Sequence, residues 1–226
     1  MNSIKNIILL LGLSLIAVYT SAQQAFVGTL TYSLSYLGNG MEDMAEILPN
    51  SIRVVSDGNN IRIDLNGGMV STNYGYFIID NRSGNMYIVN DEKKAVWRIL
   101  KNHAPGTYDI PIVTDTKVDE PVKKMICRKY RVDATIDNGH TTSYLWINRS
   151  LILPPVSPEL SLMIGDLITL HGVEGTVIKQ MILTDGASTT IMLDSIIHNK
   201  PDAYMLQLPS GYPLSDRDFD SFTNGF

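Results

Sequence analysis

Residues 26–37 read Phe26-Val27-Gly28-Thr29-Leu30-Thr31-Tyr32-Ser33-Leu34-Ser35-Tyr36-Leu37. Phe26, Gly28, Leu30, Tyr32, Leu34 and Tyr36 share one phase of a two-residue period, and Thr29, Thr31, Ser33 and Ser35 share the other. Successive side chains of a strand point to opposite faces, so this alternation predicts a long β-strand with one apolar face. Short strand-like runs follow at hairpin spacing: Ser51–Ser56, Asn60–Leu65, Val70–Asp80, Asn85–Val89 and Ala95–Leu100. They are punctuated by Asp57-Gly58, Asn66-Gly67-Gly68, Ser83-Gly84 and Asn90-Asp91-Glu92, and glycine supplies the positive φ that tight hairpins need. The reading is an antiparallel meander.

Farther along, Ala104–Pro121 carries three prolines and reads as a long irregular loop within one sheet. Strands resume at Met125–Ile136 and Thr141–Asn148 across Asp137-Asn138-Gly139, then at Thr176–Thr184 and Ser188–His198 across Asp185-Gly186. A short terminal strand is expected near Tyr204–Leu208. Two helices interrupt the pattern. Met41, Met44, Ala45 and Leu48 stand at helical spacing before Pro49. Ser157-Pro158-Glu159 then opens a second apolar series, Leu160, Met163, Ile164 and Leu167. The expected fold class is mainly β with two short helices: a curved antiparallel half-barrel whose apolar face the helices cover.

The N-terminus reads as an address. Lys5 precedes Ile7–Tyr19, a 13-residue apolar run of roughly 20 Å as a helix, against the ~30 Å of a hydrocarbon core. Thr20-Ser21-Ala22 then offers small residues for cleavage, so 1–22 is expected to be a secretory signal peptide removed near Ala22. With no cysteine there for acylation, the expected destination is the periplasm. Residues 23–214 are expected to form one domain, and 215–226 a polar, frayed tail.

Hydrophobic residues make up 44% of the chain and charged residues 18%, which excludes disordered and collagen-like classes. A net charge of −5 argues against nucleic acid as a partner. A single cysteine, Cys127, excludes an internal disulfide framework and a thiolate-built zinc site. His103, His140, His171 and His198 have no metal-ligand spacing among them. Gly186-Ala187-Ser188-Thr189-Thr190 lacks the second glycine of a nucleophile elbow, and Gly172-Val173-Glu174-Gly175 lacks the third of a dinucleotide loop. The expectation is therefore no enzyme, catalytic residue, cofactor or metal, with a hydrolase based on His140 or His171 as the competing enzymatic reading.

Two residue groups carry the functional expectation. The first is soft and apolar: Tyr32, Tyr36, Met41, Met44, Tyr76, Trp97, Trp146, Met163, Met181 and Met192 are candidates to line a cavity, because methionine and aromatic side chains adapt to apolar ligands. Plain core filling is the competing reading. The second is the basic strand Lys124, Arg128, Lys129 and Arg131, beside Lys123, a candidate surface for anionic headgroups or an acidic partner. On a strand, Lys129 and Arg131 share a face with Cys127, and Arg128 points the other way. A solvated face balanced by nearby acids competes with this.

Met125-Ile126-Cys127-Arg128-Lys129-Tyr130 resembles the Gly-Tyr-x-Cys-x-Lys-Tyr strand of uncharacterised exported families common in Bacteroidota. Tyr144-Leu145-Trp146-Ile147 resembles their following tryptophan strand, and Leu208-Pro209-Ser210-Gly211-Tyr212 their terminal x-Pro-x-Gly-Tyr. These families are a domain of unknown function and the related GLPGLI group. The resemblance implies the fold of the LolA/LolB lipoprotein carriers, a curved sheet closed by helices over an apolar pocket. Where the GLPGLI group carries its namesake run, this chain reads Leu170-His171-Gly172-Val173-Glu174-Gly175-Thr176-Val177-Ile178-Lys179, keeping only glycines and the strand. The expected function is an exported, non-enzymatic protein that binds a lipid or other apolar ligand. The alternative is an envelope interaction protein with a packed core and a protein partner.

Overall fold

The computed structural model describes residues 24–38, 46–100, 111–136, 139–156, 168–170, 172–184 and 186–218. Twelve strands form one open sheet: β1 Val27–Gly38, β2 Ser51–Asp57, β3 Ile61–Asn66, β4 Tyr76–Asp80, β5 Asn85–Asn90, β6 Ala95–Leu100, β7 Ile112–Val122, β8 Met125–Ile136, β9 Gly139–Asn148, β10 Thr176–Thr184, β11 Ala187–Ile197 and β12 Leu214–Asp218. Their order is β12-β6-β5-β4-β3-β2-β1-β11-β10-β9-β8-β7. All neighbours are antiparallel except β12, which runs parallel to β6. Two meanders, β1–β6 and β7–β11, are joined where β1 pairs with β11.

The stripe of β1 organises the first meander. Leu30, Val54, Ile63, Phe77, Ile88 and Trp97 face one another successively across six strands. Ile61, Ile79, Met86 and Ile99 form a parallel row. These residues belong to, or pack against, the largest buried cluster, which also holds Tyr32, Cys127, Trp146, Ile178 and Leu193. Burying one Leu or Ile side chain contributes about 1.5–3 kcal/mol, so these rows dominate the stability of the sheet. Tyr32 donates its hydroxyl hydrogen to Val177 O at 3.0 Å, from β1 to β10 across the intervening β11. A side chain standing off the sheet reaches main chain two strands away only where the sheet curls toward it.

Apolar side chains are not confined to one face. Tyr76, Ile78, Val89 and Val96 form a second cluster with Tyr87 and Tyr212, and Tyr130, Val132, Leu145, Ile147, Leu170 and Val177 form a third with Val173. Each is covered from a connecting segment: by Tyr212 over the former, and by Leu170 and Val173 over the latter.

Several expectations change. Val70–Asp80 is not one strand. Gly68–Tyr74 forms a short helix, α1, with none of its residues buried, and only Tyr76–Asp80 is extended. The β3–β4 register ends at Asp64 opposite Tyr76, so the residues between must close a loop, and a helix shortens the path. Gly75 ends α1 at φ 74°, where a Cβ would stand 2.1 Å from Val89 O. The Pro-containing stretch before Val122 is not a loop throughout, because Ile112–Val122 is edge strand β7. A register shift between Asp115 and Asp119, with Lys117 at φ 58°, and Pro121 disrupt that edge, which discourages pairing with other chains. Near Tyr204–Leu208 the chain forms a 3-10 turn at Ala203–Leu206 instead of a strand. Leu214–Asp218 is β12, held by Val96 N–H to Pro213 O and by Arg98 to Asp216 through two bonds of 2.8 and 2.9 Å. The two expected cover helices, at Met41–Leu48 and Ser157–Leu167, fall largely or wholly outside the described residues.

Candidate functional site

The cavity candidates do not line one surface. Tyr32 and Trp97 stand with the β1 stripe and are closely buried, at 0% and 8% exposure. Tyr36 continues that stripe and donates its hydroxyl hydrogen to Pro49 O at 2.6 Å, and burial pushes its phenol up to about 12. Burial raises the Tyr32 phenol as well. Tyr76 adjoins Phe77 on β4 and therefore faces the other way, beneath the Arg62 guanidinium at 3.6 Å. Met41, Met44 and Met163 lie outside the described residues.

Trp146, Met181 and Met192 do come together. Lys129, Trp146, Lys179 and Met192 form one cross-strand row over β8, β9, β10 and β11, and Arg131, Tyr144, Met181 and Thr190 form the adjacent row. Met192 pairs with Ser33 of β1, whereas Leu34 pairs with Ile191. By register these rows are out of phase with Leu34, yet Trp146 is buried in the same apolar cluster as Leu30, Tyr32 and Trp97, with Tyr144 and Met181 packed against it.

Trp146 centres this face. The Lys129 ammonium lies 4.8 Å and the Lys179 ammonium 4.4 Å from its ring centroid, and Lys129 also lies 5.1 Å from the Tyr144 ring. Cations above aromatic faces are attracted by the ring quadrupole, by about 0.5–2 kcal/mol. The Trp146 indole N–H donates to Glu120 Oε2 at 2.6 Å, and Lys129 Nζ is 3.5 Å from Glu120 Oε1. That indole bond, aided by Lys129 and Lys179, holds the Glu120 carboxyl below the usual carboxylate range. Two ammonium groups thus share one carboxylate. Beside them Tyr144, Met181 and Met192 are half-buried. An anionic group with an apolar extension matches that chemistry.

The basic strand separates. Arg128 lies on the opposite face, bound to Asp115 at 2.8 Å and Asp119 at 3.3 Å, and the Arg128 bond lowers the Asp115 carboxyl. Arg131 pairs with Asp133 at 2.9 Å and Lys123 with Asp194 at 2.7 Å. Lys124 is exposed in the β7–β8 turn at φ 68°. As one continuous basic surface the group does not hold together, because acids of β7, β8 and β11 neutralise three of these cations. Lys129 is the member that joins the aromatic face. Lys179, Tyr144 and Glu120 belong to the site as well, and only strand register brings them there.

Cys127 is buried without a disulfide, and burial pushes its thiol up to about 11. His140 is exposed, and His198 stacks edge-on against Phe26 at 5.3 Å between ring centroids. His103 and His171 lie outside the described residues. Among the described residues no group of three or more His, Cys, Asp or Glu side chains is arranged to hold a metal ion, and no helix is long and apolar enough to cross a membrane.

The class these features define is an open, half-barrel-like, antiparallel-rich sheet with an aromatic, lysine-flanked face. No family model matches the chain, and no curated protein matches it. Among solved structures it is similar to PNGF-II, at 10% identity and a TM-score of 0.48, over 88% of this chain and 32% of that one. It is also similar to LprF from Mycobacterium bovis, at 12% identity and a TM-score of 0.32, over 78% of this chain and 89% of that one. The chain thus spans about a third of the length of PNGF-II. The fold assignment rests on the strand order and register themselves.

Proposed function

We propose that this chain is an exported, non-enzymatic protein of the periplasm that holds an amphiphilic, lipid-like ligand, in the manner of a carrier of LolA/LolB build. The observation that carries the reading is the pair of rows on β8–β11. Lys129 and Lys179 flank Trp146 with one shared carboxylate, and Tyr144, Met181 and Met192 extend the surface as soft apolar contact. The lysines take the anionic headgroup, and the thioethers and rings take the chain. The signal-like N-terminus supports the compartment. The second reading, a packed scaffold for an envelope protein, is favoured by the stripe side, where Leu30, Tyr32, Ile61 and Ile88 have no exposed surface. It is compatible with a ligand at the Lys129–Trp146–Lys179 row.

Trp97 and Trp146 are the two tryptophans of the chain, so Trp97→Phe leaves Trp146 as the sole indole reporter. Titration of that variant with lysophosphatidylglycerol monomers is expected to give a saturable change in emission. The Lys129→Gln/Lys179→Gln pair is expected to weaken it about tenfold, equivalent to ~1.4 kcal/mol. Lysophosphatidylcholine, which lacks net charge, is expected to bind less tightly. An emission that is flat with both lipids, or the same in the double variant, contradicts the reading.

A further inference from the structure

A second site lies away from the tryptophan face, where β2, β3 and α1 meet. Arg53, Arg62, Asp64, Asn66, Thr72 and Tyr76 are among the residues around an open cleft of about 430 Å³, within the ~300–1,000 Å³ usual for small-ligand sites. Its walls are fixed. Buried Asn90 donates through Nδ2 to the carbonyls of Thr72 and Asn73 at 3.0 and 2.9 Å, which ties α1 to β5. Gly68, at φ 68°, lies so close to the chain before β2 that a Cβ would stand 2.3 Å from Leu48 O.

The two arginines in this cleft differ in how far they are committed. Asp64 is largely buried and accepts from both, Arg53 Nε at 2.8 Å and Arg62 Nε at 2.7 Å. Arg62 is held twice more, by Nη1 to Met205 O at 3.3 Å and by its stacking on Tyr76. Arg53 is gripped at Nε alone. Its terminal Nη pair has no hydrogen-bond partner among the described residues, and its side chain is 42% exposed. A guanidinium fixed at Nε with a free Nη pair is shaped for a planar oxyanion. Across the whole lining, Asp64 and the exposed Glu92 balance the two guanidiniums, so the positive charge open to an anion is the local one on the Arg53 Nη pair. That balance favours a singly charged group over a doubly charged phosphate monoester. Asn66 and Thr72 offer amide and hydroxyl partners for a polar body.

We infer that this cleft binds a carboxylate borne on a small polar molecule, with Arg53 as the residue that recognises it. An acidic sugar and a peptide C-terminus share this chemistry, and the test separates them. Calorimetric titration of the full chain would use glucuronate, glucose, triglycine and triglycine amide as probes. Saturable binding of glucuronate but not glucose assigns the acidic sugar, and binding of triglycine but not its amide assigns the peptide terminus. In either case Arg53→Gln is expected to weaken binding at least tenfold, and Arg53→Lys, which keeps the charge without the planar fork, to restore little of it. Lys129→Gln, on the other site, is expected to leave binding unchanged, so the two sites fail independently. Absence of binding by both carboxylates at millimolar concentration, equal binding of charged and neutral partners, or full binding by a folded Arg53→Gln protein would overturn the inference.

Discussion

Tyr32 shows how much one side chain contributes here. Its ring is enclosed, and its hydroxyl meets Val177 O across a neighbouring strand. Tyr32→Phe keeps the ring and leaves a buried carbonyl without its donor, so a loss of about 1–2 kcal/mol is expected in urea unfolding. Glu120 makes a pH signature. Its carboxyl is lowered first by the Trp146 indole bond, so the stability it contributes is complete above the unfolded glutamate pKa of ~4.3 and is lost as pH falls through the lower folded value. In Trp97→Phe, Trp146 emission is expected to stay level from pH 7 to about pH 5 and to change only below the ordinary glutamate range. Glu120→Gln is expected to remove that transition, and persistence of the step in Glu120→Gln would assign it elsewhere. The raised thiol of Cys127 is expected to resist a disulfide reagent at pH 8 until the protein is unfolded.

At the level of elements, legibility followed how each strand meets water. β1 alternates because one of its faces is buried, and β2, β3, β5 and β6 are short runs bounded by turn residues, so their places were readable to within a residue or two. β7 was not, because nearly every side chain on it is exposed or half-buried and a bulge breaks its period. β12 is wholly exposed and reads as tail. α1 was hidden because Val70, Thr72 and Tyr74 have strand-like propensity, and the decision lies with Gly68, Gly75 and the register around them. Gly75→Ala forces a Cβ onto Val89 O at φ 74°, and a loss above about 1 kcal/mol is expected. Removal of residues 214–226 uncovers the β6 edge and breaks the Arg98–Asp216 pair. The truncated chain is expected to self-associate in size-exclusion chromatography, because an unpaired apolar edge recruits strands. A monomeric truncated protein would show that β12 does not guard that edge.

For the molecule as a whole, the candidate-site residues were visible one at a time and their grouping was not. Lys129, Trp146, Met181 and Met192 each stood out in the sequence, but in two separate groups. Their union depends on the β8–β9 register, in which Ile136 faces Gly139 and Lys129 therefore faces Trp146. Asp137-Asn138-Gly139 equally permits a hairpin centred on Asn138-Gly139, which would set Lys129 against Asn148. Tyr32, Trp97 and Trp146 belong to one buried apolar cluster, which the pattern of no single strand reveals. The most direct test is native mass spectrometry of the full chain purified from envelope extracts without detergent. A discrete stoichiometric lipid adduct, lost in Lys129→Gln/Lys179→Gln while the protein stays folded, is the expected result. A bare polypeptide mass in repeated preparations, or an adduct that persists in the double variant, would contradict it.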